Sequence, residues 1–340
     1  MAVYYDGTFP EDGSLIAHYR NAGLIYNPFA GVIRRGGAKR LERAIAALRD
    51  AGHSVVTHAT DGPGAASRIA AGLIARGADL ILVAGGDGTI NETLNGMAGA
   101  ATPLAVLPAG TANVLGHELG LGSNMEQVAG RIGSYEPLRV SLGLLRPSGA
   151  PPRHFLMFAG AGLDARIASE VNQDLKHRTG KLAYWVASFR LAGKRLAEFD
   201  YHSGDFTRRC GFVLASRVRN YGGDLEIARG ASLLRPDFET VLMEGAAVAR
   251  YLKYFVGVVT HTLPRMRGAT IAAARSIELS APSGDQVPIE VDGELAGHLP
   301  ATIEIVDQAL TLLVPGKYLA SERLRCPTHP IVVRDSSATF

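Results

Sequence analysis

Asp79-Leu80-Ile81-Leu82-Val83-Ala84, running directly into Gly85-Gly86-Asp87-Gly88-Thr89, is the stretch on which the fold turns. The first half is apolar without polar alternation, as expected of a strand covered on both faces. The second half breaks the strand with glycines before a helical pattern over Thr89 to Met97. A glycine-rich turn between a buried strand and a helix leaves backbone amides unshielded at a helix N-terminus, where an anionic phosphate is favoured. The spacing is not that of a Walker A loop, and taken alone it also fits a plain turn capped by Thr89.

Upstream, Gly23 to Tyr26 reads as a strand ending in the loop Asn27-Pro28-Phe29-Ala30-Gly31. Leu41, Ala44, Ile45 and Leu48 then recur at helical spacing, with Lys39, Arg40, Glu42, Arg43 and Arg49 on the other face and Gly52 closing the helix. Val55 to Thr57 predicts a second strand and Ala65 to Ala75 a second helix. Downstream, Leu104 to Leu107 predicts a fourth strand and about Thr111 the start of another helix. Buried strands alternating with amphipathic helices imply a parallel sheet whose ligands bind at the carboxyl ends of its strands.

Past about Pro137 the segments become short and β-prone: Arg139 to Leu145, Phe155 to Ala159, Phe212 to Ser216 and Ser276 to Ser280. The expected architecture is an α/β domain over residues 22–137 and a β-rich, sandwich-like domain over 138–318, with residues 1–21 and 319–340 as termini. A helical insertion is expected at about Lys181 to Leu196, and the polar tail after about Glu322 is expected to be loosely ordered.

The 340 residues, 47% hydrophobic and 20% charged, suffice for two ordinary cores, and nothing suggests disorder or fibre. A formal net charge of +3 gives no case for nucleic acid, while a locally basic stretch leaves room for an anionic membrane surface. Cys210 and Cys326 lack metal-site spacing and read as packing residues in a reducing, cytoplasmic setting. No secretory signal is visible at Met1 to Asp6. The apolar run near Tyr251 to Leu263, interrupted by Lys253 and His261, falls short of a bilayer span. Membrane contact is therefore expected to be peripheral.

Gly85-Gly86-Asp87-Gly88-Thr89-Ile90-Asn91-Glu92, then Asn95-Gly96, then Pro108-Ala109-Gly110-Thr111-Ala112-Asn113 together resemble the diacylglycerol kinase catalytic domain, the domain of bacterial diacylglycerol, sphingoid-base and ceramide-type lipid kinases. NAD kinases and phosphofructokinases share the shorter glycine signature. The resemblance covers about residues 22 to 318. It implies an NAD kinase/diacylglycerol kinase-like fold, a lipid kinase of phospholipid metabolism, and ATP and Mg2+ as cofactors. By it, Asn27, Pro28 and Gly31 form the first nucleotide loop and Thr60 a further contact. Gly85, Gly86, Asp87, Gly88, Thr89 and Asn91 form the phosphate loop, and Thr111 is another ATP contact. All follow expected strands of one parallel sheet, so they converge on one edge without any appeal to homology. Two departures stand out: Ala30 where the family has serine, and Val114 where many members have aspartate.

Phosphoryl transfer needs a positioned hydroxyl, neutralised phosphate charge and often a carboxylate to take the proton. Ile289-Glu290-Val291-Asp292-Gly293-Glu294 reads as a strand ending in an Asp-Gly hairpin turn. An isolated Asp-Gly-Glu would be a solvated turn; the resemblance assigns Glu294 the proton, Asp292 an orienting role, and Asp87 contact with magnesium or water near the phosphates. The segment Asn220 to Gly223 through Leu234-Arg235-Pro236-Asp237-Phe238-Glu239 resembles one that holds a second, structural magnesium. Asp237 would be its ligand and Leu234 and Glu239 would supply backbone oxygens, although Phe238 stands where the family has glycine.

Gly160-Ala161-Gly162-Leu163-Asp164-Ala165 imitates a dinucleotide fingerprint, but no ribose-binding acid follows near Ala183 to Ala187, so a tight turn at the interdomain cleft is expected. Lys176, His177, Arg178 and Lys181 beside Leu182, Tyr184, Trp185 and Phe189 suit either a helix packed on the sandwich or a membrane interface. His117, His261 and His298 make no ligand pattern.

The expected partner is thus a lipid substrate at a membrane surface, with no nucleic acid and with a homodimer left open. Diacylglycerol, monoacylglycerol, sphingoid base, ceramide and phosphatidylglycerol all fit as acceptors, since the matched motifs serve ATP and proton transfer. A kinase of a soluble acceptor such as NAD, or a silent nucleotide- or lipid-binding protein, is the alternative.

Overall fold

The computed structural model describes residues 19–162, 196–221, 225–282 and 284–325. Four strands, β1 (Asn21–Tyr26), β2 (Ser54–Ala59), β3 (Leu80–Gly85) and β4 (Leu104–Pro108), form a parallel sheet in the order β4-β3-β1-β2. In β3, Leu80 and Leu82 face the side packed with Leu41, Ala44 and Leu48 of α1 (Ala38–Asp50). Ile81 and Val83 face Ala66, Ala70 and Leu73 of α2 (Ala65–Ala75) and Ile90 and Leu94 of α3 (Asp87–Asn95). Burying each such aliphatic side chain contributes about 1.5–3 kcal/mol, which explains why β3 carries no polar residue on either face.

The chain runs from β1 outward to β2, then returns past β1 to β3 and β4, so its winding reverses between β1 and β3. Loops at the carboxyl ends of these two strands diverge and leave a crevice there, where open α/β sheets bind ligands.

The first domain continues through α4 (Val114–Glu118) and α5 (Met125–Ala129). The helix expected from about Thr111 starts only at Val114, because Asn113 adopts a left-handed backbone (φ 47°). Its side chain meanwhile bonds both backbone groups of Gly110, at 2.8 and 3.0 Å. An asparagine that closes its own turn competes with helix formation.

The β-rich part begins with β5 (Glu136–Ser148) and β6 (Arg153–Phe155). It continues with β7 (Phe158–Gly162), β8 (Phe199–Ser203), β9 (Phe206–Cys210), β10 (Phe212–Ser216) and the short pair β11 (Asn220–Tyr221) and β12 (Leu225–Glu226). Next come β13 (Phe238–Met243), α6 (Val248–Val259), β14 (Ala269–Ala274), β15 (Ser276–Ser280), β16 (Pro288–Val291), β17 (Glu294–Val314) and α7 (Gly316–Arg325). The segment expected as one strand over Phe155 to Ala159 is split between β6 and β7.

The long strand β17 joins the two domains. Its first residues pair with β16, its middle with β15 and β5, and Leu312 lies parallel beside Leu104 of β4. A single extended element therefore starts in the hairpin that carries the candidate base and ends in the nucleotide-type sheet.

Two other expectations change. Gly160, Ala161 and Gly162 are not a turn: they lie within β7, paired with β10 on one side, and Gly160 and Ala161 also pair with β16 on the other. A side chain on Gly162 would strike the Gly211 carbonyl oxygen at 2.2 Å, so close strand packing accounts for this glycine. Leu163 to Ala165, the basic and aromatic segment from Lys176, the expected helix up to Leu196 and Cys326 lie outside the described residues, apart from Leu196 itself, which is buried. Finally, the chain stays helical to Arg325 rather than loosening after Glu322. Glu322 is buried, accepts from Ser232 at 2.5 Å, and is held by Arg325 at 2.7 Å. Among the described residues, no helix is long and apolar enough to cross a membrane.

Candidate active site

The two loops at the crevice are tied to each other and to the β4 exit by the main chain. Asn27 N–H donates to the Ala84 carbonyl at 3.0 Å, Thr60 N–H to the Tyr26 carbonyl at 2.9 Å, and Val32 N–H to the Ala109 carbonyl at 3.1 Å. Asn27 shapes its loop by accepting from Phe29 N–H at 2.8 Å, and its amide lies 3.4 Å from Thr89 Oγ1. Pro28 is half-buried beside it, and Ala30, which replaces the family serine, is buried. Thr60 sits at the end of β2.

Close approach explains the glycines here. A Cβ on Gly31 would fall 2.7 Å from Thr111 Oγ1, one on Gly85 would strike Thr89, and one on Gly110 would come within 2.5 Å of the Gly86 Cα. The first nucleotide-type loop, the glycine loop and the Pro108 to Asn113 loop therefore converge on a single crevice, as expected from the sequence. Gly86 is the extended residue before α3, so the amides that follow it point out of the helix N-terminus toward any anion seated there. Asp87 occupies the first turn and accepts from Val114 N–H at 3.2 Å.

The Asp292-Gly293 turn, with φ of 50° and 83°, closes β16 onto β17 with Val291 opposite Glu294. Both residues need positive φ, which Asp and Gly tolerate and which suits a two-residue hairpin. The turn delivers Glu294 to the glycine loop: a Cβ on Gly88 would lie 2.1 Å from Glu294 Oε1. Two segments more than two hundred residues apart thus meet.

Asp292 does not reach the crevice surface. It is buried, and Oδ1 accepts from Met157 N–H (3.1 Å) and Phe158 N–H (3.0 Å). Oδ2 accepts from the Asn91 amide (2.8 Å) and Leu156 N–H (3.4 Å). Burial raises its carboxyl to about 6, while the Phe158, Asn91 and Leu156 donors oppose the rise. Its role is positional, since it anchors the turn that carries Glu294.

Asn91, expected at the nucleotide, is fully buried and engaged elsewhere. Its amide donates to Asp292 and to the His154 carbonyl (3.1 Å), and its oxygen accepts from Arg153 Nε at 2.7 Å. Asn95 donates to the same His154 carbonyl at 2.9 Å. These asparagines lock helix α3 to strand β6 and the hairpin, so they set the distance between the glycine loop and Glu294.

Arg153 is the site residue that sequence reasoning missed. Its Nη2 donates to Glu294 Oε2 at 2.5 Å while Nε holds Asn91. No motif announces it, because its role depends on β6 lying beside α3, a tertiary pairing. It places a guanidinium beside both the candidate base and the helix that follows the glycine loop.

Asp237, the side-chain ligand expected for the second magnesium, is already engaged by a cation of the chain itself. Both Asp237 carboxylate oxygens accept from Arg235, at 2.9 and 2.7 Å, and Leu234 N–H donates to Ser232 Oγ at 3.2 Å. The Glu239 carboxyl, raised by burial, accepts from the Gly230 backbone. The centre of this loop holds the fully buried Arg217, whose guanidinium donates to the carbonyls of Arg235 (2.9 Å), Leu233 (3.2 Å) and Asp237 (3.3 Å). Burial lowers Arg217 to about 10, still well above neutrality, so the loop holds a cation of its own. Among the described residues, no three His, Cys, Asp or Glu side chains gather as a metal-binding group.

Magnesium accompanying a nucleotide is a different matter, because it is commonly held by one or two carboxylates plus phosphates and water. Asp87, a carboxylate in the first turn beyond the glycine loop, fits that role. Cys210 is buried, and burial pushes its thiol far up, as befits packing.

A parallel α/β sheet whose glycine loop faces a carboxylate delivered by a β-rich second domain defines a phosphotransferase of the two-domain kinase class. Residues 21–145 match the diacylglycerol kinase catalytic domain, and residues 158–314 match the YegS C-terminal NAD kinase beta sandwich-like domain. Over these two matched stretches the chain resembles the diacylglycerol kinases. It is 27% identical over 316 residues to a diacylglycerol kinase of Staphylococcus epidermidis, covering 91% of this chain and 96% of that protein. It is 25% identical over 302 residues to a diacylglycerol kinase of Bacillus subtilis, covering 87% and 97%. A solved diacylglycerol kinase structure from Bacillus anthracis shares the fold with a TM-score of 0.66 at 19% identity, over 89% of this chain and 99% of that one. Another chain from that organism reaches a TM-score of 0.76 at 21% identity, over 92% and 100%.

Proposed function

We propose that this kinase transfers the γ-phosphate of ATP, with magnesium, to a hydroxyl of a lipid presented at a membrane surface, on the cytoplasmic side where ATP is available. The observation that carries the reading is the contact of the Glu294 carboxylate with Gly88, which puts a proton acceptor against the loop that would hold the phosphates. The family resemblance and the names of the relatives support the lipid as acceptor.

In this reading the loop Asn27 to Gly31, Thr60 and Thr111 border the nucleotide. The amides after Gly86 and the N-terminus of α3 hold its phosphates. Asp87 would hold the magnesium that comes with them, an ion that offsets the phosphate charge. Glu294 accepts the proton of the lipid hydroxyl as its oxygen attacks phosphorus. Arg153 orients that carboxylate, and its guanidinium lies where charge develops on the transferring group. Asp292, Asn91 and Asn95 hold the geometry from behind.

Transfer of label from γ-labelled Mg-ATP to a panel of diacylglycerol, monoacylglycerol, sphingoid base, ceramide and phosphatidylglycerol in mixed micelles tests the reading, with NAD as soluble control. Label in a lipid product supports it; label in NADP, or in nothing, overturns it.

A further inference from the structure

The helix α6 carries an apolar stripe that nothing in the described structure covers. Leu252, Val256 and Val259, spaced i, i+4, i+7, are 48%, 49% and 52% exposed, while Tyr251, Tyr254 and Val258 on the opposite side are buried in the core. A surface helix ordinarily turns polar residues to water on that side. Here both faces are apolar, although the inward face already satisfies the core.

The surroundings of the stripe are basic. From Gly245 to Ile277 there is no Asp or Glu, and Arg250, Lys253, Arg265, Arg267 and Arg275 fall within that span. Lys253 stands exposed beside Leu252, and its ammonium donates to the Arg267 carbonyl at 3.1 Å, which brings the loop bearing Arg265 and Arg267 alongside the helix. Both arginines are exposed. The acidic side chains on adjoining segments, Glu244 at the end of β13 and Glu226 and Glu239, are all half-buried, and the latter two line a cavity with the buried Gly257 and Val258 rather than with the stripe.

An apolar ridge with a basic rim is complementary to an anionic bilayer: aliphatic side chains enter the headgroup boundary and the cations pair with lipid phosphates. A protein partner would call for acidic counter-charges on its own surface, and a second copy of this chain would set basic rim against basic rim, so repulsion disfavours self-association here. We infer that the outer face of α6, with Lys253, Arg265 and Arg267, is the surface by which this kinase docks on anionic lipid membranes. The inference rests on the lipid-kinase reading for its biological sense, but binding is measurable without turnover.

The test is flotation of the full chain with vesicles of phosphatidylcholine alone or with phosphatidylglycerol added, without ATP, and with a Leu252→Ser/Val256→Ser/Val259→Ser variant alongside. A Lys253→Glu/Arg265→Glu/Arg267→Glu variant separates charge from apolar contact. All substituted positions are exposed, and equal melting temperatures confirm folding.

The expected result is binding to the anionic vesicles that each triple variant weakens at least tenfold, with phosphorylation of a water-soluble short-chain diacylglycerol unchanged. Equal vesicle binding by wild type and both variants overturns the inference, as does a dimer in solution that the serine variant alone dissolves. Absence of lipid phosphorylation with α6-dependent flotation retained would overturn the kinase reading and leave the docking surface standing.

Discussion

Glu294 Oε1 occupies the space in which a side chain on Gly88 would begin, 2.1 Å from where its Cβ would lie. The loop glycine is therefore required by the carboxylate as well as by any phosphate. Since Glu294 is the first residue of β17 and Gly88 belongs to the first turn of α3, this contact is where the two domains make one site.

Gly88→Ala should leave the fold intact, because the atom it displaces is the mobile end of a glutamate, yet slow phosphoryl transfer roughly 100-fold, the scale of an ångström-sized misplacement. Gly96→Ala should do the opposite. A Cβ there would meet the Ser67 carbonyl oxygen at 2.2 Å, a backbone atom that cannot yield without parting α2 from α3. Melting temperature and transfer rate measured on both variants distinguish a site glycine from a packing glycine; the same profile for both would contradict the assignment.

Asp292 links the site to pH. Burial raises its carboxyl from 3.8 to about 6 in the folded chain, so the folded state binds the proton more tightly than the unfolded state does. Its stabilising contribution is full below about pH 4, falls as pH rises through about 6, and is absent above that, a loss of about 3 kcal/mol. Asp292→Asn removes this component while placing an amide against the N–H donors of Leu156 and Asn91, so it should be less stable throughout. Denaturant titrations at pH 4 and pH 7 should show wild type losing more stability than the variant between the two values. A wild type that gains stability relative to the variant over that interval would mean that the four donors outweigh burial.

The buried Arg217 predicts how the protein responds to chelation. A guanidinium bridging the carbonyls of Leu233, Arg235 and Asp237 does the work of a structural cation in this loop, so EDTA should leave the melting temperature unchanged. Arg217→Met leaves three carbonyls without their donor and should cost at least about 3 kcal/mol. A melting temperature that drops with EDTA and recovers with magnesium would place a metal in the loop instead.

Much of the first domain was legible because local patterns decide it. The apolar run Leu80 to Ala84 can only be a doubly covered strand, and Gly85 to Thr89 can only follow it as a turn into a helix. The Asp292-Gly293 hairpin was equally plain, since few other pairs accept two positive φ angles. Residues whose roles are tertiary were not legible. Arg153 and Asn91 act through the packing of β6 on α3, and Arg217 acts on carbonyls sixteen to twenty residues away. Glu322 looked like the start of a polar tail until the Ser232 and Arg325 contacts showed it buried. The partners of Asn91 were hidden for a related reason: the motif marks its importance but not the direction in which its side chain points.

The most direct test of the central claim is the rate of γ-phosphate transfer from Mg-ATP to lipid in mixed micelles by wild type and Glu294→Gln, with ATP affinity measured on both. Glutamine preserves the size of the side chain and removes its capacity to take a proton. The account predicts labelled lipid from the wild type, transfer slowed roughly 100- to 10,000-fold in the variant, and unchanged ATP affinity. Equal rates in the two proteins would contradict it.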